Sequence, residues 1–400
     1  MSRWPLPPSF GAVPSGLRRE RVVSSPRFHD GRFENTDPVA LSMKPGQMWS
    51  TTGEFFFGGR GIERRPSRAL PVEDPRSVWT RRVSSGLRVT WLGHSTTLLE
   101  VDGARVLTDP VWGERVSPVS FAGPRRFHPP PVPVEGLPPL DAVLVSHDHF
   151  DHLDHTTIRQ LARRETPFVT SLGVGAHLEA WGVDPERITE LDWWESAPVG
   201  RLRFHATPAR HFSGRGFGTA NGTLWSSWVI ESDRRRIFFS GDTGLTPEFA
   251  DIGRRLGPFE LVMLEVGAYH PAWGSIHLGP DNALIAHQLL GGGTLMPVHW
   301  GTFDLALHAW DEPAERLSVR APQAGARLVT PRLGRPIEPA HVERIDPWWR
   351  EAGRRDGAFR ETSRARASDA AAHGPPAEAQ SAAAGPTSLG EGAVDELNAH

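Results

Sequence analysis

Residues 145–154, VSHDHFDHLD, place three histidines and three aspartates directly after an apolar run. His147 and His149 are two positions apart at the end of an expected strand, so their side chains point to the same side. Asp151 and His152 follow where the chain must turn, and they can reach a second point nearby. Imidazoles and carboxylates suit Zn²⁺ and, less selectively, Mn²⁺ or Fe²⁺. The spacing therefore predicts two neighbouring metal positions and disfavours a solvated polar loop.

Four ligands do not complete two metal sites, and three more candidates stand at the ends of expected strands. His211 follows the run RLRFHATP, Asp242 follows RRIFFS, and His299 ends TLMPVHW. Taken singly, Asp242 also suits a turn and His211 also suits an exposed surface. Their shared position at strand ends favours a joint site, because a chain that turns there leaves its side chains at the rim of a sheet.

The elements that must position these residues alternate short apolar runs with helical stretches. Residues 88–109 are expected to form a meander with a tight turn at Asp102 and Gly103. The run DAVLVS suits a strand buried on both faces, and helices are expected at 155–164 and 173–182. Antiparallel meanders mixed with strand–helix units predict a layered α/β protein.

Composition divides the chain into three regions. Residues 1–86 are rich in Pro, Gly and Arg and are expected to form an irregular extension packed on the core. Residues 87–345 are expected to form the main domain, and 355–400 a disordered low-complexity tail. The aromatic segment 47–61 is expected to pack on the main domain, with lipid contact as the less favoured interpretation.

Charge and residue usage exclude several classes of function. The 400-residue chain carries a formal net charge of −3 and has no cysteine. A metal must therefore be held by nitrogen and oxygen ligands, and no thiol nucleophile is available. No basic stripe favours a nucleic-acid partner. With neither a secretory core nor an apolar run of ~18 residues, a cytoplasmic location is expected, with peripheral membrane contact as an alternative. The oligomeric state stays open.

The order of the motifs resembles the metallo-β-lactamase superfamily of binuclear metal hydrolases. The segments TWLGHSTTLLEVDGARVLTDPVW, FFSGDTG and HWGTFDLALHAWDEP further resemble the group of N-acylphosphatidylethanolamine-hydrolysing phospholipases D. The resemblance covers about 87 to 340, with a trace upstream at RFHDGRFENTDP. It implies an α/β protein with a four-layered αββα sandwich and a two-metal centre at one edge.

The resemblance also implies a ligand set for two zinc ions, with Mn²⁺ or Fe²⁺ as alternatives. The set is His147, His149 and His211 for one ion, Asp151, His152 and His299 for the other, and Asp242 as the bridge. The implied catalytic residues are Asp151, Asp242 and His277. For His277, in GSIHLGP, contact with a phosphate or leaving group and an ordinary position before a helix stay equally open.

Three further residues are candidates for supporting roles. Asp109, in LTDP at a strand end, is expected to accept a hydrogen bond from a metal-bound imidazole. His94, in WLGHST, is expected to line the site. His308, in LALHAWDEP, is expected to be structural.

Two zinc ions some ~3.5–4 Å apart share a hydroxide at neutral pH, which suits hydrolysis of phosphodiesters, lactones and esters. The resemblance implies a phosphodiesterase of phospholipase D type acting on N-acylphosphatidylethanolamine-like phospholipids. The alternative is a hydrolase of the same fold with a soluble substrate, such as a sugar-phosphate lactone, a cyclic nucleotide or another small phosphodiester. A non-catalytic metal-binding protein is the third hypothesis, and the complete ligand set argues against it.

Overall fold

The computed structural model describes residues 7–37, 62–216, 218–270 and 276–353. Two expectations lie outside the described residues, namely the disordered tail at 355–400 and the lipid or packing role of 47–61. Among the described helices, none is both long and apolar enough to cross a membrane.

The described strands form one short hairpin and two seven-stranded sheets. The hairpin consists of β1 (Phe28–His29) and β2 (Arg32–Phe33). The first sheet contains β3 (Leu87–Gly93), β4 (Thr96–Val101), β5 (Ala104–Thr108), β6 (Ala142–Val145), β7 (Phe168–Ser171) and β8 (Ile188–Leu191). The second sheet contains β9 (Ser196–Val199), β10 (Leu202–Thr207), β11 (Ser227–Glu231), β12 (Arg236–Phe239), β13 (Leu261–Glu265), β14 (Thr294–Val298) and β15 (Arg327–Leu328). The last strand, β16 (Pro336–Ile337), returns to the first sheet.

The described helices fall into two kinds. The α-helices are α1 (Gly16–Ser24), α2 (Arg76–Trp79), α3 (His155–Leu161), α4 (Gly175–Ala180), α5 (Glu248–Leu256), α6 (Gly279–Leu289) and α7 (Glu312–Gln323). Short 3-10 helices are Pro8–Phe10, Val134–Gly136, Pro185–Arg187, Pro339–His341 and Trp348–Glu351. Helices α3 to α7 provide the crossovers that parallel strands require.

Both large sheets have the same topology. The spatial order is β16-β3-β4-β5-β6-β7-β8 in the first sheet and β9-β10-β11-β12-β13-β14-β15 in the second. Each order begins with three antiparallel pairs and continues with three parallel pairs. Strands β3, β5 and β6 therefore end at one edge of the first sheet, and β10, β12, β13 and β14 end at one edge of the second.

Alternate residues of the first sheet pack on different sides, as the two-residue period of a strand requires. Leu99 belongs to a core cluster that includes Phe204 of the second sheet. Its neighbour Leu98 belongs to a separate cluster with Ile158 of α3 and Leu178 of α4. The first sheet is thus covered by helices on one face and by the second sheet on the other.

The second sheet is covered in the same way. The Met263 sulfur lies 3.8 Å from the Thr97 hydroxyl of the first sheet, so Met263 faces inward. The Phe238 ring meets the Phe249 ring of α5 edge-on, with centroids 6.2 Å apart, so Phe238 faces the helices. The predicted four-layered αββα sandwich is confirmed, and so is the tight turn at Asp102, where Val101 pairs with Ala104.

The described part of the N-terminal extension is more regular than expected. Its helix α1 buries only Val22, so hydrophobic periodicity gives little sign of it. Ion pairs hold this helix to the main body instead, with Arg18 2.6 Å from Glu190. The core also continues past residue 345, where Trp348 and Trp349 are fully buried. The domain boundaries at 86, 345 and 355 stay predictions.

Candidate metal centre

The structure places every ligand predicted from sequence just after a strand, where the two sheet edges meet. The HDHFDH segment follows β6. The downstream candidates each follow a strand of the second sheet: His211 after β10, Asp242 after β12 and His299 after β14. Most of these side chains are buried, while His149 and Asp151 are partly exposed. Seven positions that span more than 150 residues of sequence are therefore neighbours in space.

The side chains form two adjacent groups, and within each group one ligand atom per residue lies within 4.8 Å of the others. The first group is His147, His149, His211 and Asp242. The second group is His94, Asp151, His152 and His299. His94, which the sequence predicts only as a lining residue, thus stands among the potential ligands. A third, overlapping group joins Asp242, His277 and His299.

The Asp242 carboxylate lies between the two groups. Its Oδ1 is 3.1 Å from His152 Nε2, and its Oδ2 is 3.1 Å from His299 Nε2. The same Oδ2 is 3.7 Å from His211 Nε2 and 3.9 Å from His147 Nε2. One carboxylate therefore faces imidazoles of both groups, as a residue shared by two cations must.

The second group is organised around Asp151. Its Oδ2 lies 3.1 Å from His94 Nε2, 3.3 Å from His299 Nε2 and 3.6 Å from His152 Nε2. The rings of His94 and His299 are in contact, with centroids 4.0 Å apart. A single oxygen thus meets three imidazole nitrogens, which can share either a proton or a metal ion.

Several of the converging atoms are buried without a hydrogen bond among the described residues. They are Nε2 of His147, His152 and His299, and Oδ1 of Asp242. Burying a polar atom unpaired costs about 1–3 kcal/mol, so an unmatched cluster of this size would be strongly destabilising. Imidazole nitrogen and carboxylate oxygen are good ligands for divalent zinc, manganese or iron. The donor set therefore fits metal ions bound within the two groups.

The electrostatics of the second group favour positive charge on two of its imidazoles, those of His152 and His299. Burial alone would lower the pKa of His299, but Asp242 and Asp151 raise it to about 10. Burial would also lower the pKa of His152. The carboxylates of Asp242, Asp151 and Asp109 more than compensate, so this pKa is raised well above its usual value. Although burial would raise the pKa of Asp242, the neighbouring imidazoles of His152 and His299 hold it well below its usual range.

The first group favours neutral imidazoles. Burial, followed by the nearby imidazole of His152, holds the pKa of His147 well below its usual value. Burial does the same for His211, whose Nδ1–H donates to the Ile276 carbonyl at 3.1 Å, so that its Nε2 faces the cluster. His149 turns Nδ1 and not Nε2 towards the cluster, because its Nδ1 lies 3.3 Å from His211 Nε2. A neutral imidazole with a bare nitrogen is the form that binds a metal.

Asp109 fixes the hydrogen positions of two candidate ligands. Its Oδ2 accepts from His152 Nδ1 at 2.7 Å, which is the hydrogen bond expected from sequence. The Ser146 hydroxyl also donates to Asp109, at 2.7 Å, and accepts from His147 Nδ1 at 2.9 Å. Both imidazoles therefore carry a proton on Nδ1 and turn Nε2 towards the cluster.

Asn35 contacts a candidate ligand and was not singled out from the sequence. Its amide holds the backbone of His211 at both ends, with Nδ2 donating to the His211 carbonyl at 2.8 Å and Oδ1 accepting from the His211 amide at 3.0 Å. Oδ1 also accepts from the Trp225 indole at 3.1 Å. Asn35 lies in the segment RFHDGRFENTDP, where similarity to the family was the available signal.

Replacing Asn35 with alanine is expected to weaken metal binding about tenfold, because the His211 backbone loses both contacts. Stability is expected to fall by about 1–3 kcal/mol, because the freed polar groups are left unpaired. Competition with a chelating dye measures the affinity, and thermal unfolding measures the stability. The control is Arg32→Ala, an exposed position of the hairpin that precedes Asn35. Equal affinities for Asn35→Ala and Arg32→Ala would contradict the role of Asn35.

Strained backbone also marks the strand ends. His94, Asp109, Ala268 and His299 adopt the left-handed region, with φ values of 53°, 33°, 52° and 62°. Non-glycine residues adopt it rarely, and such residues concentrate where the surrounding structure imposes a functional geometry. Next to them, Gly267 allows close backbone approach, since a Cβ at that position would lie 2.0 Å from the His299 carbonyl oxygen.

Replacing Gly267 with alanine is expected to displace His299, because the methyl group and the carbonyl oxygen cannot both fit. We expect a loss of stability on the order of 1–3 kcal/mol together with a reduced metal content. Differential scanning calorimetry and elemental analysis provide the two readouts. Gly136→Ala is the matched control, since its added Cβ would meet no atom closer than 3.5 Å. If Gly267→Ala retains its metal as Gly136→Ala does, the close approach does not position His299.

The buried guanidinium of Arg215 holds the backbone of the HDHFDH segment. Arg215 donates to the Leu153 carbonyl at 2.9 Å and to the Asp148 carbonyl, and its Nε donates to the Ser9 carbonyl at 2.9 Å. Asp148, between the first two histidines, accepts from the Gly214 amide at 2.8 Å. These residues hold the backbone of the segment and were not singled out from the sequence, because their partners are distant along the chain.

The two remaining candidate histidines differ in position. His277 lies in the third group, beside Asp242 and His299. His308 lies outside all three groups and stacks on the Tyr269 ring, with centroids 4.6 Å apart. Its Nδ1–H donates to the Ala309 carbonyl at 2.8 Å, and the structural role expected for it stays a prediction.

Comparisons with known proteins match both the sequence and the fold. A profile described as a Beta-lactamase superfamily domain matches residues 104–300, which include all seven predicted ligands. An uncharacterized protein of Mycobacterium tuberculosis (strain H37Rv) is 45% identical over 351 residues, covering 86% of this chain and 92% of that protein. The N-acyl-phosphatidylethanolamine-hydrolyzing phospholipase D 1 of Caenorhabditis elegans is 37% identical over 267 residues, covering 62% of this chain and 75% of that protein.

A solved structure supports the fold. The isothiocyanate hydrolase from Delia radicum gut bacteria superposes with a TM-score of 0.51 at 22% identity, covering 63% of this chain and 98% of that chain. At this level of identity, the similarity shows the architecture and leaves the substrate open.

Proposed function

Because the chain belongs to the metallo-β-lactamase superfamily, in the group of N-acylphosphatidylethanolamine-hydrolysing phospholipases D, and is a metal-dependent hydrolase, we propose that it is a binuclear zinc phosphodiesterase of phospholipase D type. The observation that carries the proposal is the position of Asp242 between two groups of buried and partly buried ligands. Paired divalent metals suit phosphodiester hydrolysis, in which both the attacking and the leaving oxygen need stabilisation.

In this proposal each of the two groups would hold one ion, with Asp242 available to both. The first ion would be held by His147, His149 and His211, and the second by Asp151, His152 and His299. His94 contacts the Asp151 carboxylate at 3.1 Å and orients it within the second group. When bound, the metals supply Lewis acidity and an activated water at neutral pH.

The chain's own residues supply order and shape. Asp109 and Asn35 hold the imidazoles in position before substrate arrives, which avoids reorganisation during the reaction. His277 stands beside Asp242 and His299, so it is placed to contact a phosphoryl oxygen or the leaving group. In the proposed assignment Asp151, Asp242 and His277 are the catalytic residues.

The proposed substrates are N-acylphosphatidylethanolamine-like phospholipids, and the products are phosphatidic acid and an N-acylethanolamine. The support is the similarity to the Caenorhabditis elegans phospholipase. Hydrolysis of such lipids requires contact with a membrane or micelle surface, so the proposal includes peripheral membrane contact. It also keeps the cytoplasmic location expected from sequence.

Product analysis tests the proposal. Zinc-loaded protein is incubated in parallel with N-acylphosphatidylethanolamine micelles and with bis(p-nitrophenyl) phosphate, and metal-free protein is the control. Mass spectrometry is expected to detect phosphatidic acid in the sample with zinc-loaded protein and none in the sample with metal-free protein. Cleavage of the chromogenic diester without phosphatidic acid would contradict the lipid substrate and favour a soluble phosphodiester. Failure to cleave either compound would contradict phosphodiesterase activity itself.

A further inference from the structure

A buried carboxylate outside the predicted ligand set stands behind His277. Glu265 is the last residue of β13, and its side chain is fully buried. Its Oε1 accepts the Leu278 amide at 2.6 Å and lies 3.2 Å from His277 Nδ1. Its Oε2 has no hydrogen-bond partner within the described part of the chain. Glu265 is therefore held by the two residues at the entrance to α6.

The contact with Glu265 determines which nitrogen of His277 carries a proton and which remains for contact with substrate. A carboxylate oxygen that already accepts an amide hydrogen also accepts from the imidazole, so His277 carries a proton on Nδ1. Nε2 is then the nitrogen left for other contacts. The ring lies 5.2 Å from that of His211 and 5.4 Å from that of His299, between centroids, so it borders both ligand groups.

We propose that Glu265 is a positioning residue that fixes the orientation and tautomer of His277, so that His277 Nε2 passes a proton to the leaving oxygen of the substrate. The proposal rests on the phosphodiesterase function proposed above. Water oxygen forms a new bond to phosphorus, and the bond from phosphorus to the leaving oxygen breaks. Nε2, which carries no hydrogen in the Nδ1-protonated tautomer, accepts the proton that the attacking water loses, and the leaving oxygen keeps the electron pair and then takes this proton from Nε2.

A purely structural role for Glu265 makes a different prediction. A structural acceptor needs only to bind the Leu278 amide, and a glutamine carbonyl would do that equally well. An acceptor for the imidazole must also disfavour the other tautomer, which a carboxylate does because it has no hydrogen to donate. A neighbouring carboxylate also stabilises an imidazole that is gaining a proton. Glu265→Gln therefore separates the two roles.

The experiment compares two kinds of leaving group. An alkoxide must be protonated as it leaves, whereas p-nitrophenolate leaves without a proton. With N-acylphosphatidylethanolamine, or with a dialkyl phosphodiester if the lipid is not cleaved, Glu265→Gln is expected to lower kcat about 100-fold at unchanged KM and metal content. With bis(p-nitrophenyl) phosphate, the expected loss is less than about threefold, because general-acid help is not needed.

Two further variants complete the test. In a His277→Ala background, Glu265→Gln is expected to cause no additional loss, because Glu265 acts through His277. The control is Glu231→Gln, which removes a carboxylate 2.8 Å from His205 near the opposite ends of the strands and is expected to retain full activity. Equal losses with both leaving groups, or a further loss in the His277→Ala background, would overturn the proposal.

Nitrogen NMR keeps the proposal testable apart from the activity. In the zinc-loaded protein, the His277 imidazole is expected to show a protonated Nδ1, and Glu265→Gln is expected to lose this preference. A His277 without a proton on Nδ1 in the unmodified chain would overturn the proposal whether or not any diester is hydrolysed. If no phosphodiester is cleaved while Nδ1 is protonated, the proposed function fails, the proton-transfer step fails with it, and the positioning of His277 by Glu265 stands.

Discussion

Replacing Asp242 with asparagine is expected to lower phosphodiester hydrolysis by at least about 1,000-fold and to reduce bound metal to one ion or less per chain. Its two carboxylate oxygens face different groups, with Oδ1 3.1 Å from His152 and Oδ2 3.1 Å from His299. An amide supplies only one oxygen and no charge, so it cannot serve both groups. Steady-state rates and elemental analysis of the same sample measure the two effects.

Asp233→Asn is the matched control for the Asp242 substitution. Asp233 is exposed, so the same chemical change there is expected to leave rate and metal content unaltered. Circular dichroism shows whether Asp242→Asn keeps the fold. A folded Asp242→Asn protein that retains two ions per chain would contradict the bridging position of Asp242.

Replacing Asp109 with asparagine is expected to weaken metal binding and activity about 100-fold. The amide nitrogen would meet His152 Nδ1, where the carboxylate now accepts a hydrogen at 2.7 Å. Two donors cannot face each other, so His152 moves its proton to Nε2, the nitrogen that points to the metal position. The His147 hydrogen bond is also disturbed, because Asp109 holds it through the Ser146 hydroxyl.

Zinc affinity and steady-state rate measure the effect of the Asp109 substitution. Asp141→Asn provides the control, because Asp141 is exposed at the other end of β6 and accepts the Arg105 amide at 2.8 Å. The Asp141 variant is expected to match the unmodified protein. Unchanged zinc affinity in Asp109→Asn would show that the tautomer of His152 does not depend on Asp109.

The strands that hold the ligands could be predicted from sequence because burial imposes a clear pattern on them. Strand β6 is apolar throughout and buried on both faces, and HDHFDH follows it directly. The strands β8 and β9, each the outermost strand of its sheet, were missed. Their side chains are mostly exposed or partly exposed, so the sequences ITEL and SAPV carry no such pattern.

The residues that support the site could be predicted only in part. Asp109 was found because it stands at a strand end, where a carboxylate next to a metal has a known use. Asn35 and Glu265 were missed, since each acts on a residue that is distant along the chain or reached through a loop. Asn35 is 176 positions from His211, and nothing local in ENT indicates that the amide holds a ligand.

His94 shows a limit of another kind. The sequence places it at a strand end but does not tell whether it faces the metals or only borders them. The strand pairing decides this, because β3 and β6 end at the same edge and bring His94 within 3.1 Å of Asp151. Such proximity depends on sheet order, which the local pattern of one strand does not contain.

Titrating the metal-free chain with Zn²⁺ while following hydrolysis of bis(p-nitrophenyl) phosphate tests the central claim most directly. The arrangement of ligands around Asp242 predicts that binding saturates at two ions per chain and that full activity requires the second ion. Saturation at a single ion with full activity, or two bound ions without hydrolysis of the diester, would contradict a binuclear phosphodiesterase.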